Sequence, residues 1–137
     1  MGDVRVRGGG CQCGAVRFEV TGEPERVYCC HCLECRRQSS AAFGISVIHA
    51  PEALRLVRGS PALWSRETDS GAILLCRFCP ECGTRVWHEG GGTISIKGGA
   101  LDEPPEPHAH IWLSRKLPWV VVPDGIETWP EEPGTEA

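Results

Sequence analysis

Sulfur dominates what this sequence can do chemically. The chain carries nine cysteines in 137 residues. They fall in three groups: Cys11 and Cys13; Cys29, Cys30, Cys32 and Cys35; Cys76, Cys79 and Cys82. The middle group sits in a dense stretch with His31, Arg36 and Arg37. An odd number leaves at least one thiol outside any full set of disulfides. The opening residues contain no apolar segment that reads as a secretory signal, so a reducing, cytoplasmic setting is expected, where disulfides are rare. Closely spaced cysteines in that setting point to metal. Zinc takes four tetrahedral ligands and favours thiolate in structural sites.

The clearest single element is Cys79-Pro80-Glu81-Cys82-Gly83. Two residues between the sulfurs make a tight turn. Pro80 presets its own φ, and Gly83 permits a left-handed conformation after the second sulfur. Cys11 and Cys13 differ by two positions, which on a strand points both sulfurs to one face. Together with Cys79 and Cys82 they would close a four-sulfur structural site, and metal binding in such a site is folding free energy.

The middle group is ambiguous by spacing. Cys29 with Cys32, Cys32 with Cys35, and Cys76 with Cys79 all have knuckle spacing. One grouping pairs Cys32 and Cys35 with Cys79 and Cys82 as a zinc ribbon. The segment between the two pairs is long for a ribbon, and Cys11 and Cys13 would then lack partners. The rival grouping sets Cys11, Cys13, Cys79 and Cys82 apart from Cys30, Cys32 and Cys35. Three protein ligands with an open fourth position are what a catalytic zinc requires. An incoming thiol in that position would be deprotonated by the metal.

Other residues invite roles with plainer alternatives. His31 lies between two candidate ligands, but strand alternation turns it away from Cys30 and Cys32. His88, His108 and His110 are scattered and read as strand or surface residues. Arg36, Arg37 and Arg85 lie near the cysteine motifs, where they would steady thiolate charge or grip a substrate carboxylate; otherwise they are surface charge. The tryptophans read as sheet packing, with Trp87 and Trp112 also placed to line a pocket.

The elements that must position these side chains read as short strands. Residues 15–20 alternate strictly, with Val16, Phe18 and Val20 on one face and Arg17 and Glu19 on the other. Further strands are expected at 43–48, 54–58, 62–66, 72–78, 84–87, 93–96 and 108–113. Residues 33–40 read as about two helical turns. Residues 1–10 read as a polar, glycine-rich lead-in, 98–107 as loop, and 130–137 as an acidic, frayed tail. The sum is one mainly β domain over 8–129, built from antiparallel strands with little helix. No run approaches the roughly 18 apolar residues of a membrane span. The net charge of −4 argues against a general nucleic-acid binder.

Taken together, the cysteine motifs resemble those of the glutathione-dependent formaldehyde-activating enzyme family, also called the centromere-protein-V/Gfa domain. The resemblance begins at Gly9-Gly10-Cys11-Gln12-Cys13-Gly14-Ala15-Val16-Arg17-Phe18. It continues in Cys30-His31-Cys32-Leu33-Glu34-Cys35-Arg36-Arg37, in Ala41-Ala42-Phe43-Gly44 and in Phe78-Cys79-Pro80-Glu81-Cys82-Gly83-Thr84. It closes with His110-Ile111-Trp112, Trp119 and Asp124-Gly125-Ile126. It implies an Mss4-like fold of antiparallel sheets around zinc. It implies two Zn²⁺ per chain: a structural ion on Cys11, Cys13, Cys79 and Cys82, and a second ion on Cys30, Cys32 and Cys35 with its fourth position open. The activity implied is a carbon–sulfur lyase type acting on a thiol–aldehyde adduct, similar to S-(hydroxymethyl)glutathione synthase, with glutathione or another small thiol as partner. Ser40 departs from the family pattern, which often has Gly there, and Cys29 and Cys76 have no place in it. The competing reading is a binding module in which both zincs are structural. It would recruit a fourth protein ligand, with Cys29 or His31 nearest to hand.

Overall fold

A computed structural model of the chain describes residues 4–135. Its strands are β1 (Val6–Gly10), β2 (Arg17–Thr21), β3 (Arg26–Cys30), β4 (Gly44–His49), β5 (Leu54–Arg58), β6 (Ala62–Glu67), β7 (Ile73–Phe78), β8 (Arg85–Gly90), β9 (Thr93–Lys97), β10 (Ala109–Ile111) and β11 (Glu127–Thr128). One α-helix, α1 (Leu33–Ser39), lies between β3 and β4. The mainly β architecture with little helix matches the expectation from sequence. Two sheets form. One runs β1-β2-β5; the other runs β11-β10-β3-β4-β9-β8-β7-β6. Pairing is antiparallel except around β10, which runs parallel to both β3 and β11.

The sheets pack face to face. Val27, Val47, Ile96 and Trp87 occupy matched positions across β3, β4, β9 and β8, so their side chains share one face. Phe18 and Val20 of β2 press on that face and are fully buried. The Phe18 and Trp87 rings meet edge-on, 5.6 Å apart. Each such buried side chain contributes roughly 1.5–3 kcal/mol.

The opening glycines are not a lead-in but strand β1. A Cβ on Gly9 would stand 2.7 Å from both the Ala100 carbonyl and Phe18, and one on Gly10 would stand 2.4 Å from the Val16 carbonyl. Only glycine lets the backbone approach so closely. β3 is not among the strands expected from sequence, because Arg26 to Cys30 shows too little alternation to stand out. Residues 130–135, expected to fray, are tied down. The Trp112 and Ser114 amides donate to the carbonyls of Glu131 and Pro130, at 3.0 Å each. Residues 136 and 137 lie outside the described residues. Among the described residues, no helix is long and apolar enough to cross a membrane.

Candidate metal centres and the cavity between them

The cysteines gather into two clusters, Cys11 with Cys13, Cys79 and Cys82, and Cys30 with Cys32 and Cys35. Within each, the sulfurs lie within 4.8 Å of one another. The ribbon grouping is therefore excluded.

The four-sulfur cluster joins two turns. Cys11 and Cys13 sit in the turn between β1 and β2, not on a strand as their spacing invited. The Gly14 amide donates to the Cys11 carbonyl and the Cys11 amide to the Val16 carbonyl. Cys79 and Cys82 sit in the turn between β7 and β8. There the Gly83 amide donates to the Cys79 carbonyl at 2.8 Å, and Gly83 has a φ of +83°, as the motif requires. The Cys11 and Cys13 sulfurs are 3.7 Å apart, and those of Cys13 and Cys79 are 3.8 Å apart. Four thiolates around zinc at the usual Zn–S length would be separated by about 3.8 Å. The donor set and its spacing therefore fit zinc. The Thr84 hydroxyl and backbone pull Cys82 down to about 5, which favours the ligating thiolate.

The three-sulfur cluster is built on β3 and α1. Cys30 ends β3 and faces the side of the large sheet away from the core. Cys32 is the N-cap of α1, and its sulfur accepts the Cys35 amide at 3.3 Å. Cys35 packs over Gly44, where a Cβ would come within 3.2 Å of the Cys35 Cβ. Hydrogen bonds from the Cys30 and Cys35 thiols, with backbone amides at the helix start, hold Cys32 down to about 2. The same sharing pushes Cys30 well above the ordinary thiol range. The donor set of three close thiols suits zinc as well. Ser40 closes the helix in the left-handed region, at a φ of +51°, the place where glycine would sit without strain.

The remaining candidates are placed as follows. His31 is buried and turned from the sulfurs, its Nε2 2.9 Å from His110 Nδ1. Cys29 is buried on the opposite side of β3 from Cys30, and Cys76 is buried in β7; neither joins a cluster. His108 is exposed and its Nε2 accepts the Val27 amide. Trp112 binds Glu132 through its indole N–H and Trp87 packs in the core, so neither lines the cavity described next.

A cavity of about 760 Å³ extends from the four-sulfur cluster toward the other, lined by none of the second cluster's three sulfurs. Cys11 and Cys82 line one end, and Gln38 and Gly44 form the wall against Cys35. Sequence reasoning missed Lys97 and named Arg85 only by its nearness to the cysteine motifs, as a residue to steady thiolate charge or grip a substrate carboxylate. Lys97 lines the cavity from β9, on the face shared by Ser46 and Cys30. In a strand of alternating pattern it reads as an ordinary solvent lysine, and only the β4–β9 register reveals its place. Arg85 lines it too, because the β7–β8 register shifts between Arg77 and Phe78. That shift sets Arg85 opposite Phe78 and on the face of His88. The Arg85 guanidinium donates to His88 Nε2 at 3.0 Å and lies 5.2 Å over the Trp64 ring.

His88 is buried beside Lys97, Arg85 and Arg66. Burial first, then those cations, hold it down to about 2. The unfolded chain takes up this proton near the ordinary histidine value and the fold does not. Stability is therefore unaffected above about pH 6.5 and falls by about 1.4 kcal/mol per pH unit below it. Urea unfolding at pH 7 and pH 5 should show that His88→Gln shrinks the acid destabilisation by about 2 kcal/mol. An unchanged difference would mean that His88 is protonated within the fold.

A model of the glutathione-dependent formaldehyde-activating enzyme family matches residues 6–115. The chain belongs to this family. The match takes in both cysteine clusters, Lys97 and Arg85. A crystal structure of a Rhodobacter sphaeroides protein is similar, at 24% identity and a TM-score of 0.57, over 89% of this chain and 98% of that one. That likeness supports the fold.

Proposed function

We propose that this member of the family catalyses the reversible addition of a small thiol, glutathione foremost, to formaldehyde, a carbon–sulfur lyase-type reaction at the Cys30, Cys32 and Cys35 site. The observation that carries the reading is the missing fourth ligand. Among the described residues, no other His, Cys, Asp or Glu joins those three sulfurs. The two nearest recruits are committed elsewhere, Cys29 across the strand and His31 to His110. A wholly structural site would have closed.

Bound zinc would act as a Lewis acid that lowers the pKa of an incoming thiol. Cys30, Cys32 and Cys35 would hold the ion as thiolates, with Cys32 fixed at the helix start and Cys35 seated on Gly44. Gln38 spans the wall between cavity and cluster, its Nε2 donating to the Cys35 sulfur at 3.7 Å. In the reaction the substrate sulfur forms a bond to the aldehyde carbon and the carbonyl π bond breaks. The proton lost by the thiol ends on the former carbonyl oxygen. The reverse step cleaves the carbon–sulfur bond. A reducing cytoplasm is the compartment in which these sulfurs remain thiols available to metal.

Elemental analysis should find two zincs in protein purified without added metal. A brief mild chelator should remove one while circular dichroism stays unchanged. Loss of that zinc should return the exchange between glutathione, formaldehyde and adduct, followed by NMR, to its spontaneous rate. Two zincs that leave only with unfolding would favour the structural binding module.

A further inference from the structure

We propose that Lys97 and Arg85 form a seat for a carboxylate of the thiol substrate, so that the cavity selects thiols that carry an acid. This rests on the reading above and deepens it. The chain as a whole is acidic, at −4, yet this cavity has an excess of cations. Arg17 also lines it, but is neutralised by Asp102 at 2.6 Å. Among the described residues, neither Lys97 nor Arg85 has a carboxylate partner within ion-pair distance. Unpaired cations in a concave, partly desolvated site are costly unless an anion joins them.

The sulfurs answer for only part of this charge. Burial first, with Arg85 close by, holds the Lys97 ammonium below its ordinary value, and the nearby Cys35, Cys30 and Cys76 offset only part of that, so a carboxylate alongside would favour the charged form. Arg85 is held differently. One of its N–H groups goes to His88 and its plane is fixed over Trp64. Neither contact is an anion, and the other donors of its planar fork suit a carboxylate. Gln38 Oε1 is buried at the same wall with no hydrogen-bond partner, which leaves an acceptor for an N–H of the same ligand. The cavity volume falls within the range that encloses a small organic ligand.

The test separates the acid from the sulfur. S-methylglutathione keeps the carboxylates of glutathione but offers no thiol, and 2-mercaptoethanol offers a thiol without a carboxylate. Binding of each to the zinc-loaded full chain is measured by calorimetry. Lys97→Met and Arg85→Met should each weaken S-methylglutathione about tenfold, and Lys97→Arg should retain most of the affinity. Lys97→Met should leave 2-mercaptoethanol within about twofold. Circular dichroism identifies a variant that fails to fold, and the other variant then decides. If S-methylglutathione binds both Met variants as well as the parent, the seat is refuted. It is refuted equally if Lys97→Met weakens 2-mercaptoethanol as much as S-methylglutathione, since the cations then serve the sulfurs alone. If the S-methylglutathione results hold while chelation leaves the exchange rate intact, the seat stands and the catalytic reading falls.

Discussion

Cys79→Ser should unfold the domain. Cys79 is fully buried within the hydrophobic core and is also one of the four sulfurs that join the β1–β2 turn to the β7–β8 turn. The two turns belong to different sheets, so the cluster clamps the sandwich at one end. Structural zinc sites contribute about 10–16 kcal/mol of binding free energy, against a total stability of about 5–15 kcal/mol for a domain. Losing one thiolate of four should therefore cost more than about 5 kcal/mol. Far-ultraviolet circular dichroism and zinc content should fall together. Burial alone offers a competing cause, and Cys76→Ser isolates it. Cys76 is equally buried but belongs to no cluster. Its replacement should cost about 1–3 kcal/mol, the usual penalty of a poorly satisfied buried hydroxyl. Equal damage from both substitutions would show that burial rather than metal decides the outcome at Cys79.

The Cys11/Cys13 and Cys79/Cys82 pairs could be read from sequence because ligand spacing is a local property, whereas spacing left the middle group ambiguous and the separation into two clusters came from the family resemblance. Cys79 and Cys82 need only a turn of fixed length, and Gly83 after them marks its geometry. The short strands were legible wherever alternation was strict, as at Phe18 and Val20. Other features depend on distant partners. The glycines of β1 look like a linker until Phe18 and Ala100 are seen pressing on them. Lys97 gains meaning from its register opposite Ser46, and Arg85 from the shift beside Phe78. The pairing of His31 with His110 follows from β10 running parallel to β3, a crossover that local pattern does not encode. The cysteines and Arg85 could thus be picked out from sequence, whereas the place of Lys97 could not.

Cys32→Ser should leave the domain folded, with one zinc and almost no activity. Cys32 has two duties, as a candidate ligand and as the N-cap of α1, where it accepts the Cys35 amide. Serine is among the best N-cap residues, so the helix start survives the exchange of sulfur for oxygen. The substitution therefore removes a ligand while sparing the local structure, and stability should change by no more than about 1 kcal/mol. Lewis-acid assistance is worth several kcal/mol of barrier, and each 1.36 kcal/mol is tenfold in rate. Catalysed thiol–formaldehyde exchange should fall by roughly 100-fold or more. Zinc analysis, thermal unfolding and exchange NMR on the same sample decide the matter. If the variant keeps two zincs and full exchange, the catalytic assignment of Cys30, Cys32 and Cys35 is wrong. If it unfolds as Cys79→Ser does, both ions are structural and the chain is a scaffold.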